Sequence, residues 1–506
     1  MPSYFLGIDN GGSLTKAAIF DELGTQLAAG SRRVPVLSPE PGFVERDMDL
    51  LWQANCEAIA EALAAAAIDP AAIRGIACTG HGKGLYLWGR DGRPAYRGIV
   101  STDTRAWEYP EAWERDGTAA KVFGKTFQSI LACQPVSLLR WLKEHESAAL
   151  ERTKWIFEVK DYIRFRLTGE AYAEITDYSG SSLMNIKEGR FDRELLEDFG
   201  LEEVFDLLPP LRGSTEICGR VSAEAAAATG LAALTPVAGG MFDIDACAAA
   251  TGVLDERNLC VVAGTWSINE RVASEPVTDG SVMMNSLFCV PGLYLLEESS
   301  PTSAANYDWF LNLFLESERR EAAERGLGLY ELAEELVRSV GPGEQGIVFL
   351  PYIFGSNYDP RARASFVGLE ATHTRPQLLR SVMEGIVFCH MVHIEKLIAS
   401  GWRPGTIRLA GGAAKSRTWV QIFADVSGLP VETFDAQELG ALGCAMAAAV
   451  ASAFYADLRE ASGRMTRSVF RAEPDAARSA VYARKFTRYK NVSAALEGVW
   501  GEFAAR

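Results

Sequence analysis

The chain has 506 residues, 48% of them hydrophobic, and a formal net charge of -16. That length exceeds what one ordinary core supports, so at least two domains are expected, and a surface this acidic excludes nucleic acid and anionic lipid as natural partners. The 9 cysteines include no CxxC pair and read as buried thiols of a reducing compartment; MPSYFLGID has neither a basic n-region nor a long apolar h-region, so no signal peptide is read and a cytoplasmic location is expected.

In chain order, apolar strands are expected at 4–8 and 15–20, joined by the glycine-rich turn of GIDNGGSLTKAAIFD. A dinucleotide turn needs GxGxxG, and Gly7, Gly11 and Gly12 have the wrong spacing. A Walker A loop needs GxxxxGK[ST]; the nearest imitation, AAKVFGKT at 119–126, has alanine at the first glycine and cannot wrap its amides around phosphate. What remains is a hairpin whose Gly11 and Gly12 let the backbone approach an anion, with Ser13, Thr15 and Lys16 as further donors. Asp9 cannot face a phosphate directly, but it fits if Mg²⁺ or its waters lie between the two.

A helix is expected at 49–66 and a strand at 74–78, which ends in CTGHGKGLYLW. VSTDTRA follows at 100–106, and a helix at 135–145. His81, Gly82, Lys83, Asp103 and Arg105 crowd polar groups at two consecutive strand ends, which together favour a small-molecule site. Trp88 either walls that pocket or packs in the core. In VKDYIRFRLTG, Asp161 and Arg164 to Arg166 read as a helix with a solvated charged face. The run VAGGMFDIDACAAATGV places Asp243 after Gly239 and Gly240 at a helix start, with alanines behind it; Asp245 is the rival, and one of the two is expected to be an N-cap.

A second strand–glycine–strand unit, LCVVAGTWSINERVA at 259–273, repeats the first with Gly264 and Thr265 at its turn, which suggests two related halves. Further strands are expected at 347–350 and 407–410, and helices at 376–399, with Thr372 and Pro376 marking the start, and 416–427. His390 and His393 have HxxH spacing but no third ligand, so a packed pair is expected rather than a metal site. GALGCAMAAAVASAFYA at 440–456 reads as a close-packed buried helix, not a membrane span. Alternating strands and helices make the chain α/β.

Four stretches together resemble the FGGY carbohydrate kinase family of the actin-like ATPase superfamily: GIDNGGSLTKAAIFD, GTWSINE, LPYIFGSNYDPRARASFVGL and RLAGGAAKSRTWVQIFADVSGLPVE, the last continued by ELGALGCAMAA. The resemblance implies two actin-like (ribonuclease H-like) domains with a deep cleft, here divided as 1–245 for sugar and the first phosphate hairpin and 246–506 for ATP. It implies ATP-dependent transfer to a sugar hydroxyl with Mg²⁺ held through Asp9. Phosphates would lie on Gly11, Gly12, Ser13, Thr15, Lys16, Gly264 and Thr265, and adenosine on Gly411, Gly412, Lys415 and Ser416. The resemblance favours Asp243 as the base, while spacing to Gly252 favours Asp245. GHGKG and STDTRA look like those of L-xylulose kinases and neighbouring ketose or polyol kinases, which implies a ketopentose acceptor such as L-xylulose. A polyol kinase and a non-catalytic actin-like ATP switch are the alternatives. The expected partner is a small-molecule sugar, with a homodimer allowed and neither nucleic acid nor membrane involved.

Overall fold

In the computed structural model the first glycine-rich stretch is a hairpin. Strands β1 (Tyr4–Asn10) and β2 (Leu14–Asp21) pair antiparallel from Tyr4 opposite Asp21 to Asn10 opposite Thr15, leaving Gly11 to Ser13 as the tip. Residues 2–503 are described, apart from 344–345, 357–358, 360, 400 and 436–437; Asn357, Tyr358 and Pro360 of the 350–369 stretch therefore lie outside the described residues.

The chain divides into two compact units. The first comprises Met1–Leu254, Val272–Leu296 and Ala436–Arg467; the second comprises Asp255–Arg271, Glu297–Asp435 and Ser468–Arg506. By contacts, then, the division is not a single cut, because a late segment packs with the N-terminal residues.

The first unit is built on a six-stranded sheet. Besides β1 and β2 it contains β3 (Gln26–Arg33), β5 (Ile73–Gly80), β6 (Ile217–Arg220) and β7 (Pro236–Ala238), while β4 (Glu45–Arg46) pairs separately with Gly98–Ile99. Its order is β6-β7-β5-β1-β2-β3, with β1, β5 and β7 parallel and both flanks antiparallel. In the second unit, β8 (Leu259–Ala263) and β9 (Ser267–Ala273) form the second hairpin. From it the sheet continues through β10 (Ile407–Ala410), β11 (Val431–Phe434) and β12 (Ser468–Ala472). Here too β8 is parallel to β10 and β10 to β11, and the outer pairing with β12 is antiparallel. The two halves thus repeat one pattern, a hairpin followed by two parallel strands and an antiparallel edge, as the two glycine turns suggested.

The helix Leu439–Ala451 explains why its segment joins the first unit. Its sequence, LGALGCAMAAAVA, is nearly all small residues and is buried over Gly440–Ala449. A Cβ on Gly7 of β1 would stand 1.9 Å from the Ala441 carbonyl oxygen, and one on Gly75 of β5 2.7 Å from that of Ala448. One on Gly443 would stand 2.2 Å from the Ala246 carbonyl oxygen of the helix Asp243–Ala250. Backbones therefore touch backbones, a packing only glycine and alanine allow. No helix among the described residues is long and apolar enough to cross a membrane.

Helices at Met48–Ala66, Pro135–His145, Arg375–Ile398 and Arg417–Ser427 stand where the periodicity puts them. The start at Arg375 is set by Thr374, which forms a capping box with Gln377, rather than by Thr372. Residues 118–126 are helical, which leaves no phosphate loop at AAKVFGKT. No disulfide joins the cysteines among the described residues.

One expectation is overturned. The helix Val159–Thr168 does not present a solvated charged face: Lys160, Asp161 and Arg164 are completely buried. Lys160 Nζ lies 2.9 Å from Asp161, 3.1 Å from Asp177 and 3.4 Å from Glu174, and Arg164 pairs with Asp161 at 2.7 Å. Charges can be buried at this density only when they are mutually paired.

Candidate active site

The corner around Asp243 begins with β5. Gly240, in the left-handed region at φ 79°, lies so close to this strand that a Cβ would stand 1.9 Å from the Cys78 carbonyl oxygen. Met241 N–H donates to that carbonyl at 3.3 Å, and Thr79 Oγ1 donates to Met241 O at 2.7 Å. The turn GGMFD is thereby laid along the end of the strand that runs into His81-Gly82-Lys83. A Cβ on Gly82 would meet the Phe242 ring at 2.2 Å, and Lys83 Nζ stands 5.6 Å from its centroid. Gly82 and Lys83 are therefore brought beside Phe242, the residue before Asp243. Lys83 takes φ 66°, unusual for a side-chain-bearing residue, and its N–H donates to buried Glu158 at 3.2 Å.

Asp243 and Asp245 both fall in the first turn of the helix Asp243–Ala250, but the N-cap is Phe242, with no side-chain cap bond. The expectation that one aspartate caps the helix is thus incorrect. Their environments differ sharply. Asp245 is fully buried; one oxygen accepts Cys289 N–H at 2.9 Å, and Oδ2 has no hydrogen-bond partner among the described residues. Burial, and then the charge of Glu174, hold its carboxyl well above the usual carboxylate range. Asp243 is half-buried and stands at the positive end of the helix, where a carboxylate is favoured.

Asp9 ends β1 half-buried, and a Cβ on Gly440 would stand 2.8 Å from its Oδ2. Burial pushes its carboxyl up to about 6 against the pull of Lys16. Lys16 itself pairs with Glu438 at 2.7 Å. Oxygen donors of this kind suit a hard cation such as Mg²⁺, which is usually held by one or two carboxylates together with substrate phosphate. In the hairpin tip Gly12 and Ser13 are exposed, but Thr15 is not. Its hydroxyl is buried and tied to Asn10 at 3.1 Å and Asn55 at 2.9 Å, which stiffens the base of the hairpin.

Asp103 and Arg105 are buried partners of each other. Arg105 holds Asp103 at 2.7 Å and Glu45 at 2.9 Å and stacks over Phe43, while Asp103 also accepts Val44 N–H at 2.6 Å. Trp88 packs against Tyr162 and Phe165 at the edge of the core.

His81 is buried, with Nε2 3.1 Å from the Tyr86 hydroxyl. Burial, and then the nearby Arg46 charge, push it down from 6.5 to about 3. The neutral ring thus adds stability that is complete above pH 6.5 and is lost as pH falls from there toward 3, about 2 kcal/mol by pH 5. His81→Gln is expected to flatten the fall in melting temperature between pH 6.5 and 4; parallel curves for the two proteins would remove His81 as its source.

In the second unit, Gly411, at φ 84°, lies against the second hairpin: a Cβ would stand 2.5 Å from the Ala263 carbonyl oxygen and 2.9 Å from Gly264 N. Gly412, Thr265 and Lys415 are exposed and Gly264 half-buried, with open space at both Gly264 and Gly412 apart from ordinary contacts. Ser416 caps the helix Arg417–Ser427, accepting Trp419 N–H at 3.1 Å. Gln421 is held by Asp425 at 2.9 Å and the Glu473 carbonyl at 2.8 Å. His390 is buried among Ser267, Asn269 and Ser303, and His393 pairs with Glu298, so these two are packed residues as expected. Among the described residues no cluster of three metal-ligating side chains occurs.

Sequence reasoning missed Arg46 and Glu158. Arg46 is buried and donates to the carbonyls of Gly11 and Gly12 at the hairpin tip. Glu158 is the carboxylate beneath the Lys83 backbone. Nothing local marks either residue, because their partners lie far along the chain.

Residues 4–251 match the N-terminal domain, and 259–452 the C-terminal domain, of the FGGY family of carbohydrate kinases. The chain is 36% identical over 502 residues to the L-xylulose/3-keto-L-gulonate kinase of Escherichia coli K12, covering 98% of each. It is 35% identical to a probable L-xylulose kinase of Pasteurella multocida, covering 98% of this chain and 100% of the relative. The crystal structure of a ligand-bound xylulose kinase from Lactobacillus acidophilus shares the two-domain actin-like fold, with a TM-score of 0.89 at 24% identity over 99% of this chain and 100% of that one. With both halves matched in order and the hairpins in place, the chain belongs to the FGGY family of carbohydrate kinases.

Proposed function

We propose that this carbohydrate kinase phosphorylates a ketopentose, L-xylulose or a related pentulose, with Asp243 as general base. The observation that carries the reading is the junction of Gly82 and Phe242, which sets the GHGKG loop against the residue that precedes Asp243. The Escherichia coli and Pasteurella relatives named for L-xylulose support the acceptor. His81 and Lys83 would pair sugar hydroxyls, with Asp103 and Arg105 shaping the same wall. The N–H groups of Gly11 and of the exposed Gly12 and Ser13 would meet the outer phosphates, as would Gly264 and Thr265 of the second hairpin. Gly411 and Gly412 would leave room for adenosine beside Lys415 and Ser416. Residues 1–245 would serve mainly the sugar and 246–506 mainly ATP.

In the chemical step Asp243 takes the proton of the acceptor hydroxyl, the alcohol oxygen bonds to the γ-phosphorus, and the bond to the β,γ-bridging oxygen breaks to release ADP. Mg²⁺, for which Asp9 offers the oxygen donor, would neutralise phosphate charge. Asp245 is fully buried and accepts Cys289 N–H, so it would serve to fix Cys289.

An ADP-release assay across L-xylulose, D-xylulose, L-ribulose, erythritol and glycerol tests the assignment. L-xylulose or a sister ketopentose is expected to give a kcat/KM at least about tenfold above either polyol, a difference one well-placed hydrogen bond supplies. A polyol preferred over every ketopentose would replace the reading, and no sugar-dependent release at all would end it.

A further inference from the structure

Arg46 is completely buried, yet it forms no ion pair among the described residues. Its two terminal nitrogens instead donate to backbone carbonyls, one to Gly11 at 3.4 Å and the other to Gly12, while Nε has no hydrogen-bond partner among the described residues. A buried cation held only by carbonyls is costly, and a fold that merely needed a stable turn would not place one there. The consequence is geometric. A peptide unit whose carbonyl points to the protein side directs its N–H the other way, and Gly12 and Ser13 of this tip are exposed.

The strand that carries Arg46 is clamped from both sides. Glu45 exchanges backbone hydrogen bonds with Leu37 at 2.7 and 2.8 Å, and β4 pairs antiparallel with Gly98–Ile99. The Glu45 carboxylate is held by Arg105 at 2.9 Å and Arg97 at 3.7 Å, and the preceding Val44 N–H by Asp103 at 2.6 Å. The STDTR loop thus braces the strand whose arginine braces the hairpin tip.

We propose that Arg46 is a positioning residue for the phosphate grip: its guanidinium holds the Gly11 and Gly12 carbonyls on the protein side, leaving the N–H groups of the tip to the outer phosphates of the nucleotide. The inference rests on the kinase reading above. Arginine presents two divergent donors fixed in one rigid plane, whereas the lysine ammonium carries its three donors on one freely rotating point and does not fix both carbonyls in that geometry.

The test measures ATP, AMP and sugar affinity by calorimetry, with steady-state kcat and KM, for wild type, Arg46→Met and Arg46→Lys. AMP lacks the outer phosphates and serves as the internal control. In Arg46→Met, ATP affinity is expected to fall about 10- to 100-fold, the range for hydrogen bonds to charged groups, while AMP and sugar affinities stay within about twofold. Arg46→Lys is expected to fall between. Equal losses for ATP and AMP, unchanged ATP affinity, or failure of both variants to fold would assign Arg46 to the architecture alone and overturn the proposal. Wild type that binds ATP but releases no sugar-dependent ADP overturns the kinase reading instead, and the ATP-against-AMP comparison still decides Arg46.

Discussion

Asp243→Asn is expected to lower kcat by about 100- to 10,000-fold while ATP affinity stays near that of wild type, because the step lost is proton acceptance and the groups proposed to hold the nucleotide lie elsewhere. Of the two candidate carboxylates, Asp245 is fully buried and accepts Cys289 N–H, and burial holds its carboxyl well above the usual carboxylate range, so it is committed to the packing around Cys289. Asp243 is half-buried, stands at the helix N-terminus, and follows a phenylalanine wedged against the GHGKG loop. Asparagine preserves its shape and removes its basicity. The companion variant, Asp245→Asn, should retain most turnover, since an amide oxygen still accepts Cys289 N–H. Near-normal turnover in Asp243→Asn together with collapse in Asp245→Asn would transfer the role to Asp245.

The contrast between the two aspartates also shows where a sequence is legible. Both hairpins, the main strands and four long helices could be read directly, because local periodicity and glycine spacing specify them. The small-residue segment at 439–451 announced close packing, yet nothing in it said against what; its fit onto Gly7 and Gly75 is a long-range match of backbones. The charged face assigned to Asp161 and Arg164 was misread for a related reason. Such residues are nearly always exposed unless paired, and what completes the cluster, Glu174 and Asp177 on Lys160 and the Gly239 carbonyl on Arg164, comes from other elements. Asp103 and Arg105 were visible as candidates, but their grip on Val44 and Glu45, and hence the part of Arg46, depends on a two-residue strand too short to leave a pattern.

The buried charges carry the second large expectation. Lys160→Met is expected to destabilise the first unit by about 3–5 kcal/mol, because Glu174 and Asp177 would lose the cation they pair with and Asp161 would keep only Arg164. The neighbouring carboxylates outweigh the cost of burial and hold the Lys160 ammonium above its usual range. A raised pKa contributes stability that is complete below the ordinary lysine value and is lost only above it, so the effect should be constant across neutral pH. In a two-unit protein the proper readout is the first unfolding transition rather than a global midpoint; a fall of about 6–20 °C is expected, and an unchanged transition would show that the ammonium offsets nothing. Adding Asp177→Asn should restore part of the loss, since it removes one uncompensated charge. The damage should also reach catalysis. Glu174 accepts from the Thr176 hydroxyl at 2.7 Å, that hydroxyl accepts Phe242 N–H at 2.9 Å, and Arg164 holds the Gly239 carbonyl at 2.6 Å. The turn that aims Asp243 is therefore anchored in the ion cluster. At a temperature where Lys160→Met is still folded, kcat should fall while AMP affinity holds, the signature of a displaced base rather than of a partly unfolded population.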